Sequence, residues 1–342
     1  MNTADSPLVS VVVVNWNGEG ILDRCLQALK EQTFQDYEVI LVDNASTDKS
    51  IASAEEFWPE ILIIKLDRNS GFAEANNIGA RQAHGQWLAL LNNDAFPAPD
   101  WLEQLVAAGR RYPESAFFAS KLINASNESN IESTGDIFHV SGNAWHRDYN
   151  QPKEKAIREE GEVFSACAAA ALYNRHAFEK VGGFDEDYYS HIEDIDLGFR
   201  LQLQGYHCIY VPSAKVLHIG SASFGKESGI TVYQVQRNMV WTYIKNMPTR
   251  QFWKYLPAHL LSNAVFLLFY SFKGQWRAIW RAKFDAVKYL PKIWRKRKQI
   301  QSEKIAADSE IEQMMDHSWF GPYLIGKRSR KLRKIGRSSS IN

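Results

Sequence analysis

Residues 9–18 read VSVVVVNWNG, a β-branched apolar run that stops abruptly at Asn15-Trp16-Asn17-Gly18. Continuous rather than alternating hydrophobicity is what a strand needs when helices cover both faces of its sheet. The run (8–14 in full, LVSVVVV) recurs in kind as VILV (39–42), ILIIKL (61–66) and WLALL (87–91). Segments of helical length, such as 18–32 and 71–83, separate the runs. That rhythm predicts a doubly wound α/β domain whose ligands bind at the carboxyl ends of the strands.

Farther along, residues 115–165 loosen into polar stretches with Gly and Asn, read as strands and loops covering the open sheet edge. A small-residue run, SACAAAALYNR (165–175), precedes a helix expected over 193–204, and HCIYV (207–211) and AKVLHI (214–219) are read as two closing strands. The chain of 342 residues is 45% hydrophobic and 23% charged, which excludes a disordered tail protein, and three cysteines exclude a disulfide scaffold. Cys25, Cys167 and Cys208 lack metal-ligand spacing, so a reducing, cytosolic setting is expected. The opening MNTADSPLVS has no basic stretch followed by an apolar core, so no secretory signal is expected.

The near-neutral net charge of +1 conceals an asymmetry, because residues 273–342 hold 18 Lys/Arg against 6 Asp/Glu. Such a tail meets something anionic, a membrane surface or nucleic acid. Residues 255–272 are uncharged but interrupted by Pro257, His259 and Asn263, and the densest part is expected to be too short to span a bilayer. Beyond them Trp276, Trp280, Val287, Leu290 and Trp294 recur at helical spacing, next to a second face of Lys273, Arg277, Arg281, Lys288, Lys292 and Arg295. This predicts an amphipathic aromatic-basic helix lying in a membrane plane, kinked or ended at Pro291. The expected organisation is an α/β ligand-binding domain over 1–228, a helical membrane-associating extension over 229–300, and a flexible basic tail over 301–342.

Polar clusters follow each early strand: Asn15-Trp16-Asn17-Gly18, Asp43-Asn44-Ala45-Ser46, Asn69-Ser70-Gly71 and Asn92-Asn93-Asp94. Singly they read as turns and caps. Together they line one sheet edge and suit a nucleotide, with Trp16 able to stack on a base and Asp43 able to accept from a ribose hydroxyl or an imide N–H. Asp23 stands where a dinucleotide fingerprint needs its third glycine, which disfavours a nicotinamide enzyme. Asp94 suits a divalent cation held against a diphosphate. Glu193, Asp194 and Asp196 crowd three carboxylates into four positions before a helix, more than capping requires, and a carboxylate there can take a proton from an incoming hydroxyl. His218, at a strand end, is read as a partner for Asp94 in a metal site.

As a series, residues 9–18, VDNASTD (42–48), NSGFAEANNIGA (69–80), LLNNDAFP (90–97), GGFDEDYYSHIEDIDLGFRLQLQGY (182–206) and VLHIGSAS (216–223) resemble glycosyltransferase family 2 over roughly 8–245. The EDIDLGFR segment and the following histidine look most like the rhamnosyltransferase-like branch that builds bacterial surface polysaccharides. The resemblance implies a GT-A fold, a Rossmann-like and mainly parallel sheet flanked by helices. It implies that Asn15, Trp16, Asp43 and Asn44 contact the nucleoside and that Asn69, Gly71, Asn76 and Asn77 line the donor pocket. Asn92-Asn93-Asp94 would occupy the family's Asp-X-Asp site, with Asn in the first acidic place, so metal binding (Mg²⁺ or Mn²⁺) falls to Asp94 and His218. Asp194 would be the catalytic base and Glu193 its acidic neighbour in an inverting transfer.

A hexose, with L-rhamnose from dTDP-rhamnose first in line, would pass from a dTDP- or UDP-sugar to a glycan or polyprenyl-diphosphate-linked glycan. The enzyme would be cytoplasmic and peripheral on the inner face of the cytoplasmic membrane. The alternatives are another UDP- or dTDP-sugar donor, a nucleotidyltransferase (disfavoured, since no lysine follows the first strand), and a non-catalytic sugar-nucleotide or glycan binder. Nucleic-acid binding by KRSRKLRKIGR (327–337) is a further, disfavoured reading that ranks above the nucleotidyltransferase.

Overall fold

In strand β1 (Val9–Asn15), Val9, Val11 and Val13 enter one helical layer and Val12 enters the other, all fully buried. The two-sided burial is why the run is apolar without alternation. The computed structural model describes residues 6–220 and 228–318. After β1 come α1 (Leu22–Lys30), β2 (Tyr37–Asp43), α2 (Ser50–Phe57), β3 (Leu62–Lys65), α3 (Gly71–Arg81) and β4 (Trp87–Asn92). Next are β5 (Ala95–Pro97), α4 (Trp101–Arg111), β6 (Ser115–Asn124), β7 (Ile131–Ser133), β8 (Asp136–Phe138), β9 (Ala144–His146) and β10 (Gly161–Val163). Then follow β11 (Ala170–Asn174), α5 (Arg175–Lys180), α6 (Glu193–Leu203) and β12 (His207–His218).

The main sheet runs β10-β12-β6-β11-β4-β1-β2-β3, with β5 on β12 and β7 on β6. The pairs β1–β2, β1–β4, β2–β3 and β6–β12 are parallel, whereas β11 is antiparallel to both neighbours. This is the mainly parallel, helix-flanked sheet expected. Two details differ from the sequence reading. Residues 207–211 and 214–219 form one strand, β12, whose register shifts between Val211 and Lys215, around Pro212, which has no N–H for the ladder. Strand β3 is an edge whose Leu62 is 44% exposed, and its Ile63 and Ile64, which touch the two helical layers, are only partly buried.

The C-terminal part is α7 (Gly229–Asn246), α8 (Thr249–Tyr270), α9 (Trp276–Lys288), α10 (Leu290–Glu303) and α11 (Asp308–Met314). The axis breaks at Tyr289, and Pro291 sits in the first turn of α10, where its missing N–H is harmless. Phe252, Ile311 and Met315 complete a core with Phe138, Phe164 and Phe199, so these helices are built onto the body. The 22 residues of α8 reach about 33 Å at 1.5 Å per residue. By length and composition the stretch Thr249–Lys288 is long and apolar enough to cross a membrane, which corrects the expectation of a segment too short. One face of α8 is nevertheless bound to the body, with His259 Nδ1 2.7 Å from the Ser141 carbonyl and Asn143 Nδ2 donating to Ser262 Oγ at 2.6 Å. On α9, Ile279, Ala282 and Ala286 are buried, while Trp276 and Trp280 are more than half exposed, joined by Phe284. The basic tail motif at 327–337 and part of the 216–223 motif lie outside the described residues.

Candidate active site

The loops leaving β1 to β4 are knitted together by asparagines at the carboxyl edge of the sheet. Asn15 is fully buried; its amide donates to Ser46 Oγ (3.2 Å) and Ser50 Oγ (2.9 Å), and its carbonyl accepts from Asn93 Nδ2 (2.7 Å). Asn44 donates its backbone N–H to the Asn15 carbonyl (2.8 Å) and its side-chain amide to Asn69 Oδ1 (3.1 Å). Gly18 has no room for a side chain, since a Cβ there would stand 2.2 Å from Asn15 Oδ1. Asp43 Oδ1 accepts from the Ser46 backbone (3.0 Å), and Trp16 is half-buried beside this turn. Asn15, Asp43, Asn44, Asn69 and Asn93 therefore share one crevice edge.

On the next loop, Gly71 adopts φ +84°, and a Cβ would meet the Tyr189 ring at 2.5 Å. Tyr189 donates its hydroxyl to Asn69 Oδ1 (3.0 Å) and its carbonyl accepts from Ala73 N–H (3.1 Å), which brings the 182–196 segment onto the same edge. Asn76 and Asn77 are used differently from the sequence reading. Asn76 donates to the Phe72 carbonyl within α3 (2.9 Å). Asn77 holds both the N–H and the carbonyl of Phe184 (2.9 Å each). They hold the crevice wall from behind rather than line it.

At the end of β4, Asp94 and His218 meet at 3.1 Å (Oδ1–Nε2), with Asn92 Nδ2 3.3 Å from the same nitrogen. His218 Nδ1 lies 2.8 Å from Glu132 Oε2, a partner invisible in the sequence pattern. Burial opposes charge on His218, but the hydrogen bonds and charges of Asp94 and Glu132 outweigh it and lift the imidazole to about 10. Burial likewise pulls the Asp94 carboxyl upward, and the His218 bond and charge outweigh that and hold it below the usual range. Among the described residues no group of three or more His, Cys, Asp or Glu surrounds a metal position. Asp94 and His218 would hold a divalent cation there only with the Nε2 proton of His218 displaced, and the cation would then supply positive charge against a diphosphate. Glu132 on the far ring nitrogen is the outer carboxylate that orients such a histidine.

Asp194 stands at the start of α6, after Tyr189, His191 and Ile192, all with φ between 65° and 70°. Its Oδ2 accepts from the Ala168 N–H (3.2 Å), and the next residue, Ala169, accepts from Asn92 N–H (2.9 Å). The carboxylate thus lies at the same sheet end as Asp94. Burial, with the charge of Asp136, raises Asp194 to about 6, while His146 partly offsets them. Glu193 beside it is pushed well above the ordinary range by burial and by the charge of Asp194. Asp196 faces away: Arg200 Nε takes one oxygen at 2.9 Å and Lys245 Nζ the other at 2.7 Å.

What fixes this strained loop comes from α7, which the sequence reading placed in the extension. Asn238, fully buried, donates to the carbonyls of Tyr188, Ser190 and His191 (3.1, 3.1 and 2.7 Å). Arg237 donates to those of Asp187 and Tyr188 (3.1 and 3.2 Å). A cavity of about 640 Å³ between this loop and α10 is lined by Asp185, Asp187, Lys245, Lys292 and Lys296 and is filled with ion pairs rather than with the crevice chemistry.

Residues 10–182 match the model of "Glycosyl transferase family 2". The chain is 30% identical over 245 residues to the N-acetylglucosaminyl-diphospho-decaprenol L-rhamnosyltransferase of Mycobacterium tuberculosis, covering 64% of this chain and 78% of that one. It is 30% identical over 228 residues to the O-antigen biosynthesis protein RfbC of Myxococcus xanthus, covering 64% of this chain but only 18% of that protein. In fold it is similar to GalNAc-T7 solved with UDP, GalNAc and Mn²⁺ (TM-score 0.57, 20% identity, 71% of this chain and 48% of that one). It is also similar to a mannosyltransferase of Pyrobaculum calidifontis solved with GDP-Man and Mn²⁺ (TM-score 0.54, 17% identity, 91% and 86%). With half the chain matched by the family model and the crevice built from the residues that carry the motif series, the chain belongs to glycosyltransferase family 2, in its rhamnosyltransferase-like branch.

Proposed function

We propose that the protein is an inverting hexosyltransferase, taking L-rhamnose from dTDP-rhamnose to a polyprenyl-diphosphate-linked glycan during bacterial surface polysaccharide synthesis. The observation that carries the reading is the desolvated Asp194 carboxylate, raised to about 6, at the same strand ends as the Asp94–His218 pair. A base of that strength is ionised at neutral pH yet still takes a proton readily. The acceptor hydroxyl attacks the anomeric carbon as the bond to the diphosphate oxygen breaks, and its proton passes to Asp194. One displacement inverts the centre through an oxocarbenium-like transition state. A divalent ion on Asp94 and His218 would supply charge compensation for the leaving diphosphate. Asn15, Trp16, Asp43, Asn44, Asn69, Gly71, Asn92 and Asn93 form the donor side, while Asn76 and Asn77 hold it in shape.

The exposed Trp276, Trp280 and Phe284 beside Arg277, Arg281 and Lys288 support peripheral attachment to the inner face of the cytoplasmic membrane, where such a lipid acceptor lies. In this reading 1–228 is the transferase unit and 229–300 the membrane-associating extension (α7 also bracing the site loop). The expected flexible basic tail over 301–342 is corrected at its start, since α10 runs to Glu303, and Ile311 and Met315 of the acidic segment around α11 are packed into the body. The test is a panel of dTDP-, UDP- and GDP-sugars with undecyl-diphosphate-linked N-acetylglucosamine as acceptor, with and without Mn²⁺. Release of dTDP from dTDP-rhamnose, dependent on both acceptor and metal, is expected. No turnover of any sugar nucleotide overturns the reading.

A further inference from the structure

The hairpin β8–β9 presents a charged pair that the transfer as described leaves unused. Asp136 is 1% exposed, and its Oδ1 lies 2.6 Å from His146 Nδ1. The Asp136 N–H donates to the Ser165 carbonyl (2.8 Å), and Ser165 Oγ donates to the Asp194 carbonyl (2.9 Å), so a single residue links the hairpin to the base. Among the described residues the second oxygen of Asp136 has no hydrogen-bond partner, and neither has Oε2 of the buried Glu193 next to Asp194. A structural carboxylate in this region looks different: Asp196 has both oxygens occupied, by Tyr188, Asn246, Lys245 and Arg200. Buried carboxylate oxygens are ordinarily satisfied, so an orphaned one calls for a partner from outside the chain, such as a water or a ligand's polar group.

Resting on the reading of Asp194 as base, we propose that Asp136 is an acceptor-binding residue. Its free Oδ2 accepts a hydrogen bond from the sugar hydroxyl neighbouring the one that attacks, with His146 as the residue that positions it. The chemical class is a pyranose acceptor presenting two adjacent hydroxyls, one to Asp194 and one to Asp136. The charges facing His146 are Asp136 on its own hairpin, Glu132 before it and Asp194 on α6. They keep it cationic, raised to about 9, and hence a fixed donor to Asp136 across the working range.

The experiment measures Asp136→Asn and His146→Gln with dTDP-rhamnose and undecyl-diphosphate-linked N-acetylglucosamine, alongside the same acceptor lacking the neighbouring hydroxyl. Asp136→Asn is expected to raise the acceptor KM at least tenfold with the donor KM unchanged, and His146→Gln to do the same more weakly. The deoxy acceptor should lose about as much on the wild type and nothing further on Asp136→Asn. An unchanged acceptor KM, or donor and acceptor constants worsening together with a lowered Tm, overturns the inference. Should Asp136→Asn fail to fold, His146→Gln and the deoxy acceptor on the wild type decide it. Asp194→Asn separates the two levels: if it remains active, the base assignment fails. If it is inactive while Asp136→Asn is normal, only the acceptor assignment fails. No transfer to the probe by the wild type removes both.

Discussion

Replacing Asp194 by Asn tests activity, pH dependence and stability together. The carboxyl rises from 3.8 to about 6 because burial and Asp136 disfavour its charge. In the proposed role as base the ionised form is the active one, so activity should be present above that value and lost as pH falls through it. Roughly nine molecules in ten carry the carboxylate at pH 7 and roughly one in ten at pH 5. The wild-type kcat/KM should therefore fall about tenfold per pH unit below 6. Asp194→Asn should lose about 10²–10⁴ in rate and show no such limb.

Stability runs the other way. The native state holds this proton more tightly than the unfolded chain, so the group weakens folding as pH rises from about 4 to 6. At neutral pH a displacement of this size is worth at most about 3 kcal/mol, and partial opening to the crevice reduces it to about 1–2 kcal/mol. Asp194→Asn should therefore unfold at a higher urea midpoint at pH 7.5 and lose that advantage near pH 4. An acid limb near pH 4, or a variant that keeps more than a tenth of the activity, would refute the assignment of the base.

Three further outcomes follow from the same geometry. Glu132→Gln removes the carboxylate behind His218, and the Mn²⁺ concentration for half-maximal turnover should rise about 10- to 100-fold with little change in Tm. Asn238→Ala removes the donor that serves the Ser190 and His191 carbonyls, while Tyr188 keeps Arg237, which should cost about 2–3 kcal/mol by chemical denaturation and lower kcat, although the residue lies outside the crevice. The triple change Trp276→Ser, Trp280→Ser, Phe284→Ser should abolish co-sedimentation with vesicles containing anionic phosphatidylglycerol while soluble turnover persists. It is a sharper test than deleting 250–342, because deletion also strips Phe252 and Ile311 from the core.

The sheet was legible because its signal is local. Val9 to Val13 announce two-sided burial in five consecutive residues, and each later run repeats the message before a polar stop. The break at Tyr289 followed from Pro291 for the same reason. Where the reading slipped, the deciding contact was distant. Nothing within ILIIKL says that β3 has no neighbour beyond it, and Pro212 reads as a strand end unless β6 is known to run alongside both halves of β12. Asn76 and Asn77 sit in a motif that suggests a ligand, yet their partners are Phe72 and Phe184, the second more than a hundred positions away.

The crevice divides along the same line. Its donor half is written in four strand-end loops, each a contiguous polar cluster, so the residues could be named before their bonds were seen. The half around Asp194 has no such script. Glu132, Asp136 and His146 are scattered through the irregular segment of short strands between β6 and β10, and no spacing links them to His218 or to α6. The loop that delivers Asp194 holds three non-glycine residues at positive φ, a conformation costing of order 1–3 kcal/mol each. It persists because Asn238 and Arg237, some fifty positions later, occupy its carbonyls. The family model ends at 182, before both the proposed base, Asp194, and the α7 residues that brace its loop. If Asp136 does meet the acceptor as proposed, the residues that orient it lie in the hairpin and under the brace of α7, away from the contiguous strand-end motifs. The search for specificity belongs there, in contacts between 131–146 and 193–246.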